Sequence, residues 1–158
     1  MRRRFISPQA PPMDRELLRN AIRSALLQRA GLRLDAHTMA SATAAFCRVL
    51  VVQLAPVIGA SGLEVLFKRV LHNSSAGFPF MVMVATDSPG ESTSTAARLA
   101  ACLAAQPVAT ATEASTEFFA EFAELLAIFI GAPLTERLLA PLWLLTPPAA
   151  NGRLLDDR

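Results

Sequence analysis

Residues 117–143, "EFFAEFAELLAIFIGAPLTERLLAPLW", decide how the rest of the chain is read. Glutamates recur through the first part, and then no charge appears from Leu125 to Thr135. On a helical wheel Glu113, Glu117, Glu121 and Glu124 fall within about 80° of one another, at 3.6 residues per turn. Phe118, Phe119, Phe122, Leu125, Leu126 and Phe129 take the opposite side. One charged stripe against one broad apolar stripe is the pattern of a helix lying on a protein core. A bilayer-spanning helix needs about 20 apolar residues in a row. The uncharged run is shorter than that, and Gly131 and Pro133 interrupt it. The stretch is therefore expected to be core, followed by a short helix over "LTERLLAPLW" that ends around Pro141.

The composition agrees. Apolar residues make up 53% of the 158-residue chain, yet aromatics are only 6% and tyrosine is absent. Alanine supplies 29 of the residues. Alanine favours helix and lets helices approach closely, while burying little area per residue. The expectation is an all-α fold, a single compact bundle of five to six helices with a largely apolar central helix. Its domain should span residues 14–146, between a basic arm at 1–13 and a loose tail at 147–158.

Local signals place the other helices. Leu17, Leu18, Ala21, Ile22, Ala25 and Leu26 recur at helical spacing between Asp14, an N-cap candidate, and Gly31, where a left-handed C′ residue is wanted. The central helix starts after Asp35 and covers Thr38–Ala55, with Pro56 kinking or ending it. In "SGLEVLFKRVLH", Ser61 and Glu64 have capping-box spacing ahead of the apolar series Leu63, Leu66, Phe67, Val70 and Leu71. "FPFMVMVA", residues 78–85, reads as linker or short helix because no second strand could pair with it. Ser88, Pro89 and Glu91 mark the next helix start, and that helix should stop before Pro107. The glutamate-bearing helix is expected to begin near Thr112. No internal repeat stands out.

The Thr38–Ala60 segment is long enough to span a bilayer, but Arg48 sits near its middle with Gln53 and Pro56. An arginine at a helix centre costs about 2.5–3.5 kcal/mol on insertion. No membrane span is expected. Arg48 should then either pair with Glu64 or an acid of the fifth helix, or extend its stem to water.

Charge is unevenly spread. Residues 1–33 carry eight arginines and two acids, a net +6, and the remainder carries seven basic and eleven acidic residues, a net −4. Arg15, Arg19 and Arg23 match Glu113, Glu117 and Glu121 in spacing with opposite sign. The two stripes could meet within the chain, across a homodimer, or on a protein partner; Trp143 in "LLAPLWLL" could add an apolar anchor.

No chemistry is encoded by a recognisable constellation. His37 and His72 stand apart from any nucleophile setting, no Glu-x-x-His pairs occur, and the glycines form no phosphate loop. No cofactor, metal or catalytic residue is expected. Cys47 and Cys102 lie in apolar runs and read as reduced, buried thiols; the N-terminus has no apolar stretch of an export signal. These point to the cytoplasm, and the arginine-rich, alanine-rich composition to a bacterial source. The leading expectation is a non-enzymatic interaction or regulatory module. The alternatives are nucleic-acid association through the arginine-rich N-terminus, without base-specific readout because "DAHTMASAT" lacks base-reading side chains, or a bundle that holds an apolar small molecule beside Phe78–Val84 and Phe118–Phe129.

Overall fold

Seven helices and no strand account for the secondary structure of the residues that the computed structural model describes, 15–85 and 94–144. They are α1 (Arg15–Ala30), α2 (Ala36–Ile58), α3 (Ala60–Ser74), α4 (Met81–Ala85), α5 (Thr95–Ala104), α6 (Val108–Ile130) and α7 (Ala132–Leu144). The all-α expectation holds, and the count is one higher because "MVMVA" closes a helical turn. Met81 and Val84 point from that turn into the core, at 0% and 1% exposure.

Several boundaries differ from expectation for local reasons. Asp35 does cap α2: its carboxylate accepts from the Thr38 backbone N–H at 2.8 Å, and the Thr38 hydroxyl accepts from the Asp35 N–H at 3.0 Å. Gly31 ends α1 with φ +91° and donates to the Leu27 carbonyl. Pro56 does not end α2, which continues to Ile58; a proline near a helix C-terminus forfeits one carbonyl partner without stopping the turns beyond it. The expected Ser61–Glu64 capping box is absent. Gly59 stands at the N-cap of α3 with φ +84°, Ser61 lies inside the helix, and Glu64 instead accepts a hydrogen bond from Thr95. Pro107, not Thr112, opens α6, and Ser94 caps α5 by accepting from Ala97 N–H. The Ser88, Pro89 and Glu91 start signal lies outside the described residues, as do the arm and tail. Pro133 sits harmlessly in the first turn of α7, which runs past Pro141 to Leu144.

The fold also contains a repeat. Helices α2 and α6 are each 23 residues long and start 72 positions apart, and each is followed by a single glycine and a further helix. Gly59 and Gly131 share an unusual backbone, with φ/ψ of 84°/152° and 92°/148°. Aligned without gaps at this offset, the two segments share Thr38/Thr110, Ala42/Ala114, Phe46/Phe118, Leu54/Leu126, Ala55/Ala127, Ile58/Ile130, Gly59/Gly131, Ala60/Ala132, Glu64/Glu136 and Leu66/Leu138. Packing follows the same logic. Helix α1 lies on α6 as α5 lies on α2, α3 on α6 as α7 on α2, and α1 on α7 as α5 on α3. Reciprocal contacts of this kind are what a twofold axis produces. The chain is thus two three-helix units, α1–α3 and α5–α7, joined through α4.

The equivalent residues Thr43 and Ser115 meet where the units join, both 0% exposed, with hydroxyls 2.8 Å apart. Phe46 packs edge-on to Phe119 one turn further along, so α2 and α6 run in the same direction. Around them Phe67 stacks obliquely on Phe118 and Phe122, and Phe118 meets Phe119 edge-on at 5.1 Å. Helix α2 is long and apolar enough to cross a membrane by length and composition, with 39% of its most apolar window buried in the bundle.

Candidate functional site

Of the three arrangements open to the charged stripes, the structure contains the first. Arg15, Arg19 and Arg23 face Glu113, Glu117, Glu121 and Glu124 within the chain. Arg15 bonds Glu117 at 2.8 Å and also contacts Glu124; Arg19 contacts Glu117 and reaches Glu113 at 3.2 Å; Arg23 meets Glu113 at 2.5 Å. Glu121 lies 4.0 Å from Arg15 and accepts from Asn73. From Arg15 to Arg23 the arginines advance along α1 while their partners step back along α6 from Glu124 to Glu113, so the helices are antiparallel and the ladder fixes their register. The Glu124 hydrogen bond raises the Arg15 pKa against the opposing effect of burial. These side chains are largely committed to one another.

The remaining sequence candidates separate. Arg48 is exposed on α2 and pairs with neither Glu64 nor an acid of α6, so the buried ion pair is replaced by a solvated guanidinium. Glu64 is half-buried and faces Thr95. Trp143 belongs to the last turn of α7, and its side chain lies outside the described residues. Phe118, Phe119 and Phe122 are sealed in the core, so they line no wall for an apolar ligand. Both cysteines are free; Cys47 is buried, which pushes its thiol up to about 12, whereas Cys102 on α5 is only partly buried, against expectation. Among the described residues no cluster of three His, Cys, Asp or Glu side chains could hold a metal.

What sequence reasoning missed is a groove of about 340 Å³ where α1, α6 and α7 meet. Leu18, Ala123, Ala127, Ile128 and Ala132 give it an apolar lining; Arg15, Glu124 and Glu136 stand around it, and Thr135 forms part of the wall. Its size lies in the range of small-molecule sites. Thr135 is 4% exposed, and its hydroxyl has no hydrogen-bond partner among the described residues. A buried hydroxyl left unsatisfied costs about 1–3 kcal/mol. Threonine in a helix has two accessible χ1 wells, so a single rotation exchanges its methyl and hydroxyl.

The duplicated unit explains why the groove exists on one side. At the position of Thr135 the first unit has Leu63, 2% exposed, whose larger side chain occupies core space. At the position of Glu136 it has Glu64, tied to Thr95 of α5. Glu136 is exposed and makes no ion pair among the described residues. The second unit therefore lacks the leucine and the carboxylate tether that the first has at the place where its groove opens.

A second, more open pocket of about 310 Å³ lies at the α1–α2 corner, lined by Arg29, Ala30, Thr38, Ser41, Ala42, Ala45 and Arg48. Both arginines there are exposed, and the Thr38 hydroxyl already serves the α2 cap. No family model matches this chain, and no curated protein or solved structure matches it significantly.

Proposed function

We propose that the protein is a non-enzymatic binding module that holds a small, largely apolar molecule in the α1–α6–α7 groove. The observation that carries this reading is Thr135: a buried hydroxyl without a partner, in an apolar recess whose counterpart in the other unit is closed by leucine. A ligand with one polar atom would satisfy that hydroxyl and dry the recess. The arginine and glutamate stripes then serve as the frame that holds α1 against α6. This favours the ligand reading over partner recognition or nucleic-acid binding by the same arginines, since Arg15, Arg19 and Arg23 are already neutralised.

A neutral solvatochromic dye titrated into the full chain tests it. Saturable binding near one equivalent is expected, abolished by Ala127→Phe, which plugs the groove from its partly exposed side. Binding that survives Ala127→Phe unchanged would place the dye elsewhere and refute the reading.

A second reading, self-association, rests on Ile128 and Phe129, 76% and 66% exposed and adjacent near the C-terminal end of α6. Adjacent large apolar side chains left in water mark contact surfaces. Light scattering would detect a dimer, and Phe129→Ser would return it to monomer; a wild-type monomer at high concentration would remove this reading.

A further inference from the structure

Resting on the groove being a ligand site, we infer that its ligand is a lipophilic amine: an apolar body of modest length carrying one protonated nitrogen. The charges around the recess carry this step. Glu136 is an exposed carboxylate without an ion pair among the described residues, and it lines the groove next to Thr135. Glu124 lines it too, about half exposed, and shares its one ion-pair partner among the described residues, Arg15, with Glu117 and Glu121. Of the charged side chains lining the groove, Arg15 stands against Glu124 and Glu136 and is also shared with Glu117 and Glu121, so the rim keeps a net negative charge.

An anionic amphiphile such as a fatty acid would meet this field with the wrong sign. Arg15 cannot rescue it, being already saturated by three carboxylates. A neutral alcohol would gain the Thr135 hydroxyl and the apolar wall but nothing from Glu136. An ammonium group fits all three features: it donates to the Glu136 carboxylate, donates to the Thr135 oxygen after the χ1 rotation, and leaves its chain against Leu18, Ala127 and Ile128. A hydrogen bond between ionised groups at an apolar edge is stronger than its neutral counterpart. The first unit, with Glu64 tied to Thr95 and Leu63 in the recess, offers neither the carboxylate nor the space.

The test compares octylamine, octanol and octanoate by calorimetric titration of the full chain at pH 7 and low salt, with octylamine protonated. Octylamine is expected to saturate one site, octanol to bind at least about tenfold more weakly, and octanoate not to saturate. Glu136→Gln, on the surface and harmless to folding, should bring octylamine down to the octanol affinity without changing octanol. Thr135→Val, nearly isosteric, should weaken both. Equal binding of octylamine and octanol to the wild type, or an unchanged octylamine affinity in Glu136→Gln, overturns the amine inference while the groove reading stands. Tightest binding by octanoate overturns it as well. Failure of all three to bind removes the groove reading and the inference together.

Discussion

Thr43 and Ser115 occupy the same position in the two units and touch each other in the centre of the bundle, with hydroxyls 2.8 Å apart. Thr43 also lies 2.9 Å from the Met39 carbonyl. One proton cannot serve both, so Thr43 donates to Met39 and Ser115 supplies the hydrogen between the hydroxyls. Removing Thr43 strands Ser115 in a core from which water is excluded, whereas removing Ser115 leaves Thr43 bonded to the Met39 carbonyl. Ser115→Ala removes the donor of the shared bond, and Thr43→Val leaves the Ser115 hydroxyl unsatisfied. Thr43→Val should cost about 1–3 kcal/mol, and the double variant less than the sum of the singles. Additive losses in urea unfolding would mean the two hydroxyls act independently.

Glu117 is the rung that contacts two arginines, Arg15 and Arg19. With that carboxylate about a quarter exposed, and with Glu124 and Glu113 left as alternatives for the arginines, Glu117→Ala should cost only about 1 kcal/mol. The loss should shrink in high salt. The swapped double variant, Arg19→Glu with Glu117→Arg, should recover part of what either single reversal loses. No recovery would show that the ladder is a solvated coincidence of spacing.

How far the sequence could be read follows the range of each signal. Caps act over three or four residues, so Asp35, Gly31 and Gly131 were visible. The matched spacing of Arg15/19/23 and Glu113/117/121 was visible too, but whether they met inside one chain depended on how α1 and α6 pack. The start of α6 leaves no cap signal in the sequence, because Pro107 caps with its fixed backbone and no side-chain bond. The repeat escaped because alanine and leucine, common everywhere in this chain, make up half of its shared positions. Its clearest trace was "VIGAS" echoed by "FIGAP". The groove had no linear signal at all, since Leu18, Ala127 and Thr135 come together only through three helices.

Asp35 supplies the acid sensitivity of α2. The Thr38 backbone N–H bonds its carboxylate and holds its pKa below the ordinary 3.8. A depressed carboxyl stabilises the fold above the unfolded value, and that contribution disappears as pH falls through the folded value. Asp35→Ala should therefore lower Tm at pH 7, and the gap to wild type should narrow as pH approaches about 2. A gap independent of pH would mean that the cap acts without its charge.

The thiols should differ in rate. Cys47 is 0% exposed with its pKa pushed up to about 12, whereas Cys102 is partly accessible on α5. Only the thiolate attacks. An aromatic disulfide reagent at pH 8 should modify Cys102 in the native chain and Cys47 only as the bundle unfolds. Two equal fast phases would contradict the packing around α2.

The sharpest check on the groove is to undo what separates the two units. Thr135→Leu places in the second unit the residue that closes the first. It removes an unsatisfied hydroxyl and adds buried apolar surface, so it should stabilise the chain by about 1–2 kcal/mol and raise Tm by several degrees. It should also abolish ligand binding. The reverse change, Leu63→Thr, takes volume from a closed recess and should cost about 2–4 kcal/mol. The two substitutions are of similar chemistry at equivalent positions, and only an open groove at one of them gives effects of opposite sign. A Thr135→Leu chain that melts below wild type would show that the recess has no room for a leucine, and therefore none for a ligand.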